Sequence, residues 1–383
     1  MLRNKDKGIT LIALVITIII LLILAGISIS ALTNQGLFKN AKIAQNATEK
    51  AEKEQGQRLN EYEDEINKYL NNANEDEKIG LITDNINKEL SKTDNTKLKD
   101  EKGNRIVVPA GFKIVNGATT VDKGIVIEDV TETATKGSQF VWVPVGTITK
   151  TDGTTAIITL GRYDFDATTG KESAYSDTYV EEDSNDSSTL KKCGNTIAKN
   201  ITKFKNSVAT NGGYYIGRYE ARTATARSAK DNALTQITEK GTENVYNYVT
   251  QLQAAQLSQN MYNSDKFTSD LMNSYAWDTA TVFIQNCGTN AKYSRQNSLN
   301  TALLQTGTNS LTDTSKIDVQ CNIYDMASNI EEWTTETSYD SDSPCVYRGG
   351  YCISSNVFTS NRSNSYTSGR GNVGFRPLLY VNV

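Results

Sequence analysis

The sequence predicts an α+β chain in which an N-terminal transmembrane helix and a helical stalk carry an irregular, β-rich head. Three observations give this outline. No residue from Ile9 to Phe38 is charged; the segment that follows is rich in Ala, Glu, Lys and Gln; and short β-branched runs separated by turn residues begin at Arg105. At 383 residues the chain has room for two or three structural units.

Composition removes several function classes. A formal net charge of -4 provides no basic field to hold a phosphate backbone, so nucleic acid is not an expected partner. Histidine is absent, which excludes Ser-His-Asp, Cys-His and HExxH chemistry. The five cysteines, Cys193, Cys287, Cys321, Cys345 and Cys352, follow no CxxC pattern. Cys345 and Cys352 are near enough in sequence to be disulfide candidates, and buried free thiols are the equal alternative.

The N-terminal element is the apolar run "ITLIALVITIIILLILAGISISAL". About 20 such residues span a bilayer as a helix. Arg3, Lys5 and Lys7 precede it, which places the N-terminus in the cytoplasm and the head outside the cell. The junction "KDKGITLIALV", a short basic leader followed by Gly8 and an apolar helix, resembles the class III leader of type IV pilins and pseudopilins. That resemblance implies a leader at 1–8 cut by a prepilin peptidase between Gly8 and Ile9, methylation of the new N-terminus, a pilin-like transmembrane helix over 9–38, and other pilin subunits as partners in a pilus. One position departs from the family: its usual glutamate, five residues after the cut, is Ala13 here, which removes an assembly contact.

The stalk is predicted over 39–72, where Leu59, Tyr62, Ile66 and Leu70 recur at helical spacing and form one apolar stripe. Residues 73–104, polar and charged with few aromatics, read as a spacer. The head then runs over 105–383. "RIVVPAGFKIV" and "GIVIEDV" are predicted antiparallel strands, and "FVWVPVGTI" is apolar on both faces, as a buried strand is. Pro144 confines that strand to a sheet edge or makes the proline its end. The polar stretch from Thr149 to Asn211 predicts loops with a little helix, "GGYYIGRYEARTAT" a strand, and "VTQLQAAQLSQNMY" and "DLMNSYAWDTATVFIQNCG" two helices.

In this order, "FVWVPVG", "GGYYIGRYEA", "SYAWDTATVFIQ", "NIYDMASNIEEWT", "YRGGY" and "NVGFRPLLYV" resemble the landmarks of the formylglycine-generating enzyme, or sulfatase-modifying factor, domain. The resemblance covers 139–383 and implies a C-type-lectin-like fold. The family's enzymes hold copper with two cysteines. The matching places here fall near Ser354 and Thr359, which supply no thiolate, so no copper and no oxidase activity are expected. The family's calcium-binding turn matches the stretch from Asp325 to Trp333. Asp325 and Glu332 are its candidate carboxylates, with the Ser328 and Ile330 carbonyls between them, for a structural calcium ion. In "RGG" and "GFRP" the glycines permit close backbone packing, Phe375 fills the core, and Arg376 makes an internal ion pair or caps carbonyls.

Between those two motifs lies "YCISSNVFTSNRSNSY". Tyr351, Ser354, Ser355, Asn356, Phe358, Ser360, Asn361, Asn364 and Tyr366 are the predicted ligand-binding residues: tyrosine offers rigid amphipathic area, and Ser and Asn offer adaptable hydrogen bonds. The reading is therefore a non-enzymatic recognition or adhesion protein at the cell surface, binding an extracellular protein or glycan. Its Asn, Tyr and Ser enrichment also resembles the variable proteins of diversity-generating retroelements. The alternatives are a divergent oxidase of the formylglycine-generating type and a pseudopilin of a secretion or uptake system.

Overall fold

A computed structural model describes residues 11–34, 45, 48, 50, 55, 79–181, 200–262, 264–297, 318–340, 342–352, 356–366 and 368–383. The chain divides into two compact units, Met1–Lys78 and Ile79–Val383. In the first, a helix α1 (Leu11–Asn34) forms within the apolar run. Its described side chains are those of 14–27. Among the described residues no helix is long and apolar enough to cross a membrane. This overturns the predicted membrane anchor and the cytoplasm-to-outside topology drawn from it. The helical stalk is corrected with it: no described helix covers 39–72, and nearly all of that segment, like the Gly8–Ile9 junction, lies outside the described residues.

The second unit starts inside the stretch predicted as a spacer. There β1 (Gly80–Leu81) pairs in parallel with β2 (Thr96–Lys99), and β2 pairs antiparallel with β3 (Arg105–Val108). Polar residues hold this region together. The Asp100 carboxylate accepts from the amides of Lys102, Asn104 and Val121 and from the Asn104 side chain, all within 3.0 Å. Polarity that suggested solvation is spent on internal hydrogen bonds.

After β4 (Phe112–Ile114), β5 (Val126–Asp129) and β6 (Gln139–Pro144) come two hairpins, β7 (Gly146–Thr149) with β8 (Thr155–Ile158), and β9 (Tyr163–Phe165) with β10 (Glu172–Ala174). The stretch read as loops thus carries an ordered arm. Helix α2 (Ile201–Asn211) leads into β11 (Gly213–Gly217); β12 (Arg222–Thr223) and β13 (Asn244–Val245) pair; α3 (Gln251–Met261) precedes β14 (Phe267–Leu271), and α4 (Ser274–Cys287) follows it. The two predicted helices begin where their caps dictate. Thr250 and Gln253 form a reciprocal capping box for α3, and the Asn273 side chain accepts from the Ala276 amide at 2.8 Å for α4. The chain ends with β15 (Val319–Gln320), β16 (Ile323–Tyr324), β17 (Glu331–Thr337), β18 (Cys345–Arg348), β19 (Arg362–Ser365), β20 (Val373–Phe375) and β21 (Pro377–Val381).

Two sheets organise these elements. The larger has the order β14-β21-β11-β6-β5-β4 and is antiparallel throughout. The smaller has the order β19-β18-β17-β20, with β17 and β20 parallel. Phe140, Val141, Trp142 and Val143 on β6 are fully buried on both faces, as predicted, and Pro144 is the strand's last residue. With twenty-one strands against four α-helices among the described residues, the chain is mostly β rather than α+β.

Asn273→Ala removes the α4 cap and should lower stability by about 1 kcal/mol. Equilibrium urea unfolding should show a lower midpoint with an unchanged slope.

Candidate functional site

The predicted binding segment begins directly after β18 and runs into β19, and the residue at each join is an arginine. Arg348, fully buried at the end of β18, donates to the Asp278 carboxylate on α4, to Glu336 Oε2 on β17 at 3.3 Å, and to the Asn361 carbonyl at 2.9 Å. Arg362, the first residue of β19, donates to the other oxygen of Asp278 at 2.8 Å and to Glu336 at 2.9 Å. A third guanidinium comes from the arm: Arg162 donates to Glu336 Oε1 at 2.6 Å and to the Tyr179 carbonyl at 2.8 Å. The Tyr175 ring lies against both Arg162 and Arg362, at 4.1 and 4.2 Å from its centroid. Burial pushes the Glu336 carboxyl up, but Arg362, Arg348 and Arg162 outweigh it and hold it below its ordinary value.

Between these joins the backbone is fastened at intervals. Gly349 has φ 81°, and a Cβ there would stand 2.6 Å from the Met326 carbonyl; one on Gly350 would stand 2.3 Å from that of Ala327. Only glycine lets the chain pass so close. Cys352 N donates to Asn329 O, Thr359 N to Gln296 O and Ser360 N to Ser294 O, each at 3.0 Å. Trp277 Nε1 on α4 donates to the Thr359 carbonyl at 3.0 Å. The segment is a held loop.

Its predicted binding residues divide accordingly. Asn356 and Tyr366 are exposed, Tyr366 to 58%. Tyr351, Ser360 and Asn361 are half-buried, and the Asn361 carbonyl is taken by Arg348. Phe358 is bridged to Asn297 and lies under the Arg295 guanidinium, 3.8 Å from its ring centroid. Asn364 accepts from the Tyr179 hydroxyl at 3.3 Å and donates to the Ser343 carbonyl at 3.0 Å. Ser354 and Ser355 lie outside the described residues. Sequence reasoning missed Arg162, Tyr175, Tyr179 and the exposed Tyr339, although the tyrosine spacing in "AYSDTYV" repeats the composition of the binding segment.

The candidate calcium residues are engaged with one another and with the protein. Glu332 accepts two bonds from Arg376, at 2.6 and 3.1 Å, and Asp325 accepts from the Ser328 hydroxyl at 3.2 Å. Ile330 is buried. Among the described residues no group of three or more Asp, Glu, Cys or His side chains could hold a metal ion. A carboxylate already neutralised by a bidentate arginine is a poor ligand, so this donor set does not fit calcium. Of the two positions matching the copper cysteines, Thr359 is buried, with its hydroxyl turned to the Gln296 carbonyl. Cys287, Cys321, Cys345 and Cys352 are all thiols.

No family model and no curated protein matches the chain, so neither the pilin nor the formylglycine-generating resemblance gains a family match. Among solved structures, Treponema denticola variable protein 1 is similar at a TM-score of 0.33 and 13% identity, over 64% of this chain and 97% of that one.

Arg348→Met breaks a fully buried ion pair and removes the donor to one Asp278 oxygen and to the Asn361 carbonyl, and should cost about 3–5 kcal/mol, measured by denaturant unfolding. Arg348→Lys should recover only part of this, because one ammonium cannot serve two carboxylates and a carbonyl in the geometry of the fork. A pH dependence follows from Glu181, which accepts from the Ser274 amide and hydroxyl at 2.8 Å and from Thr335. Burial and then the Glu336 charge push its carboxyl from 4.5 up to about 7. Burial likewise raises Glu331 to about 7 and Asp318 to about 6. For a carboxyl raised by folding, the stabilisation is complete below the unfolded value and is lost as pH climbs through the folded one. The denaturation midpoint should therefore fall between pH 5 and pH 8, and Glu181→Gln should flatten that fall.

Proposed function

We propose that the head is a non-catalytic recognition domain whose binding face is built on residues 351–366 and takes a protein or glycan ligand. The observation that carries this reading is the buried arginine clamp, which fixes both ends of a Tyr-, Ser- and Asn-rich segment and leaves Asn356 and Tyr366 in solvent. A loop fixed in advance loses little entropy when it binds, and exposed tyrosine gives contact area at low rotamer cost. Tyr179 and Tyr339, beside Asn364 and Asp340, extend the face beyond the segment predicted from sequence. The oxidase alternative finds no support at Ser354 and Thr359, which carry no thiol.

The same division of labour supports a site of directed sequence variation. Positions whose side chains reach solvent can change without loosening the loop, whereas Arg348, Gly349, Gly350 and Arg362 cannot. Sequencing the locus across a clonal population should find substitutions gathered at Tyr351, Asn356, Ser360 and Tyr366. An even scatter along the chain would sink this part of the reading.

Binding is tested by screening the full chain against glycan and protein arrays and then measuring the affinity of the best ligand. Tyr366→Ala should weaken that affinity by about 10-fold or more while leaving the thermal midpoint unchanged. Wild-type affinity in both Tyr366→Ala and Asn356→Ala would refute the assignment of this face.

A further inference from the structure

Two cysteines far apart in sequence lie at one junction of the head, where the end of α4 is tied to the β15–β16 turn. Cys287 is the last residue of α4, and Cys321 stands in the tight turn between β15 and β16, where it and Asn322 adopt φ of 47° and 63°. Gln320 ties the two elements together. Its side-chain carbonyl accepts from the Thr289 amide at 2.8 Å and hydroxyl at 3.0 Å, and it lies 2.6 Å from where a Gly288 Cβ would be. One backbone stretch packs against the turn: Cys321 Sγ is 3.7 Å from the Asp122 carbonyl, and the Asn322 amide group donates to the carbonyls of Lys123 and Gly124. The same stretch reaches the helix end that carries Cys287: Asp122 accepts from the Thr151 amide at 3.0 Å, and the neighbouring Lys150 donates to the Asn286 carbonyl at 3.5 Å.

We infer that Cys287 and Cys321 form a redox pair that closes to an intramolecular disulfide, stapling the end of α4 to the β15–β16 turn. The oxidant is a diffusible low-molecular-weight disulfide. Half-buried Cys321 is the entry thiol and buried Cys287 the resolving one. The Cys321 thiolate attacks one sulfur of the oxidant, forms a mixed disulfide and expels one small thiolate. The Cys287 thiolate then attacks the Cys321 sulfur and expels the second. The protein gives up two protons and two electrons, and the oxidant becomes two thiols. Burial raises both thiols, Cys287 to about 12, so closure is slow at neutral pH and faster in alkali.

The full-length protein is incubated with oxidised glutathione at about pH 8.5, near the ordinary thiol pKa, then acid-quenched, alkylated in denaturant, digested and mapped by non-reducing mass spectrometry. The expected product is a Cys287–Cys321 peptide pair that disappears on reduction, with Cys345 and Cys352 alkylated. In Cys287→Ser, glutathione should remain on Cys321. Three results would each overturn the pairing: wild-type protein that keeps glutathione on Cys321, wild-type protein with both thiols alkylated after prolonged oxidation, or either cysteine linked to another partner. If Cys287→Ser does not fold, the wild-type map alone decides.

Discussion

Everything around the candidate site depends on a charge cluster whose centre, Arg348 with Asp278 and Glu336, is sealed from water. Arg162, Arg348 and Arg362 meet Asp278 and Glu336, and the five residues come from the arm, β18, β19, α4 and β17. Charges this deeply buried are costly unless every one is paired, so such a cluster is all-or-none. It tolerates one arrangement of those five elements. A sheet held only by apolar packing could slip by a residue; one whose strands end in shared guanidinium–carboxylate contacts has little room to do so.

A fourth arginine does comparable work where the chain changes sheets. β20 belongs to the smaller sheet and β21 to the larger, and Arg376 is the residue between them. It grips Glu332 on β17 with two bonds and donates to the carbonyls of Gly217 at 2.9 Å and Tyr324 at 2.8 Å. One planar fork thus joins both sheets and the β15–β16 hairpin. Glu332 is more valuable as its counter-ion than as a metal ligand, which is the physical reason the calcium expectation does not fit.

Local patterns in the sequence were legible, and their long-range uses were not. The two-faced apolar run at Phe140–Val143 and the close-packed glycines at 349 and 350 each declare themselves within a few residues. Arg376 was also readable, as an ion pair and carbonyl cap. Arg162 and Glu336, by contrast, are joined across 174 positions. Nothing in a polar stretch announces that its arginine will be buried, and for the same reason the strands before Arg105 read as a spacer. At the N-terminus the apolar run did form helix, but among the described residues no helix is long and apolar enough to cross a membrane.

The placement of β21 has a consequence for synthesis. This strand lies inside the larger sheet, between β11 and β14, and residues 351–366 are encoded just upstream of it. A ribosome must therefore have passed Val381 before the sheet can close. Any frameshift or stop codon arising within residues 351–366 would delete β20, Arg376 and β21 together, leaving β11 and β14 with no strand between them. Chains with an intact reading frame through this stretch are the ones that can complete the sheet.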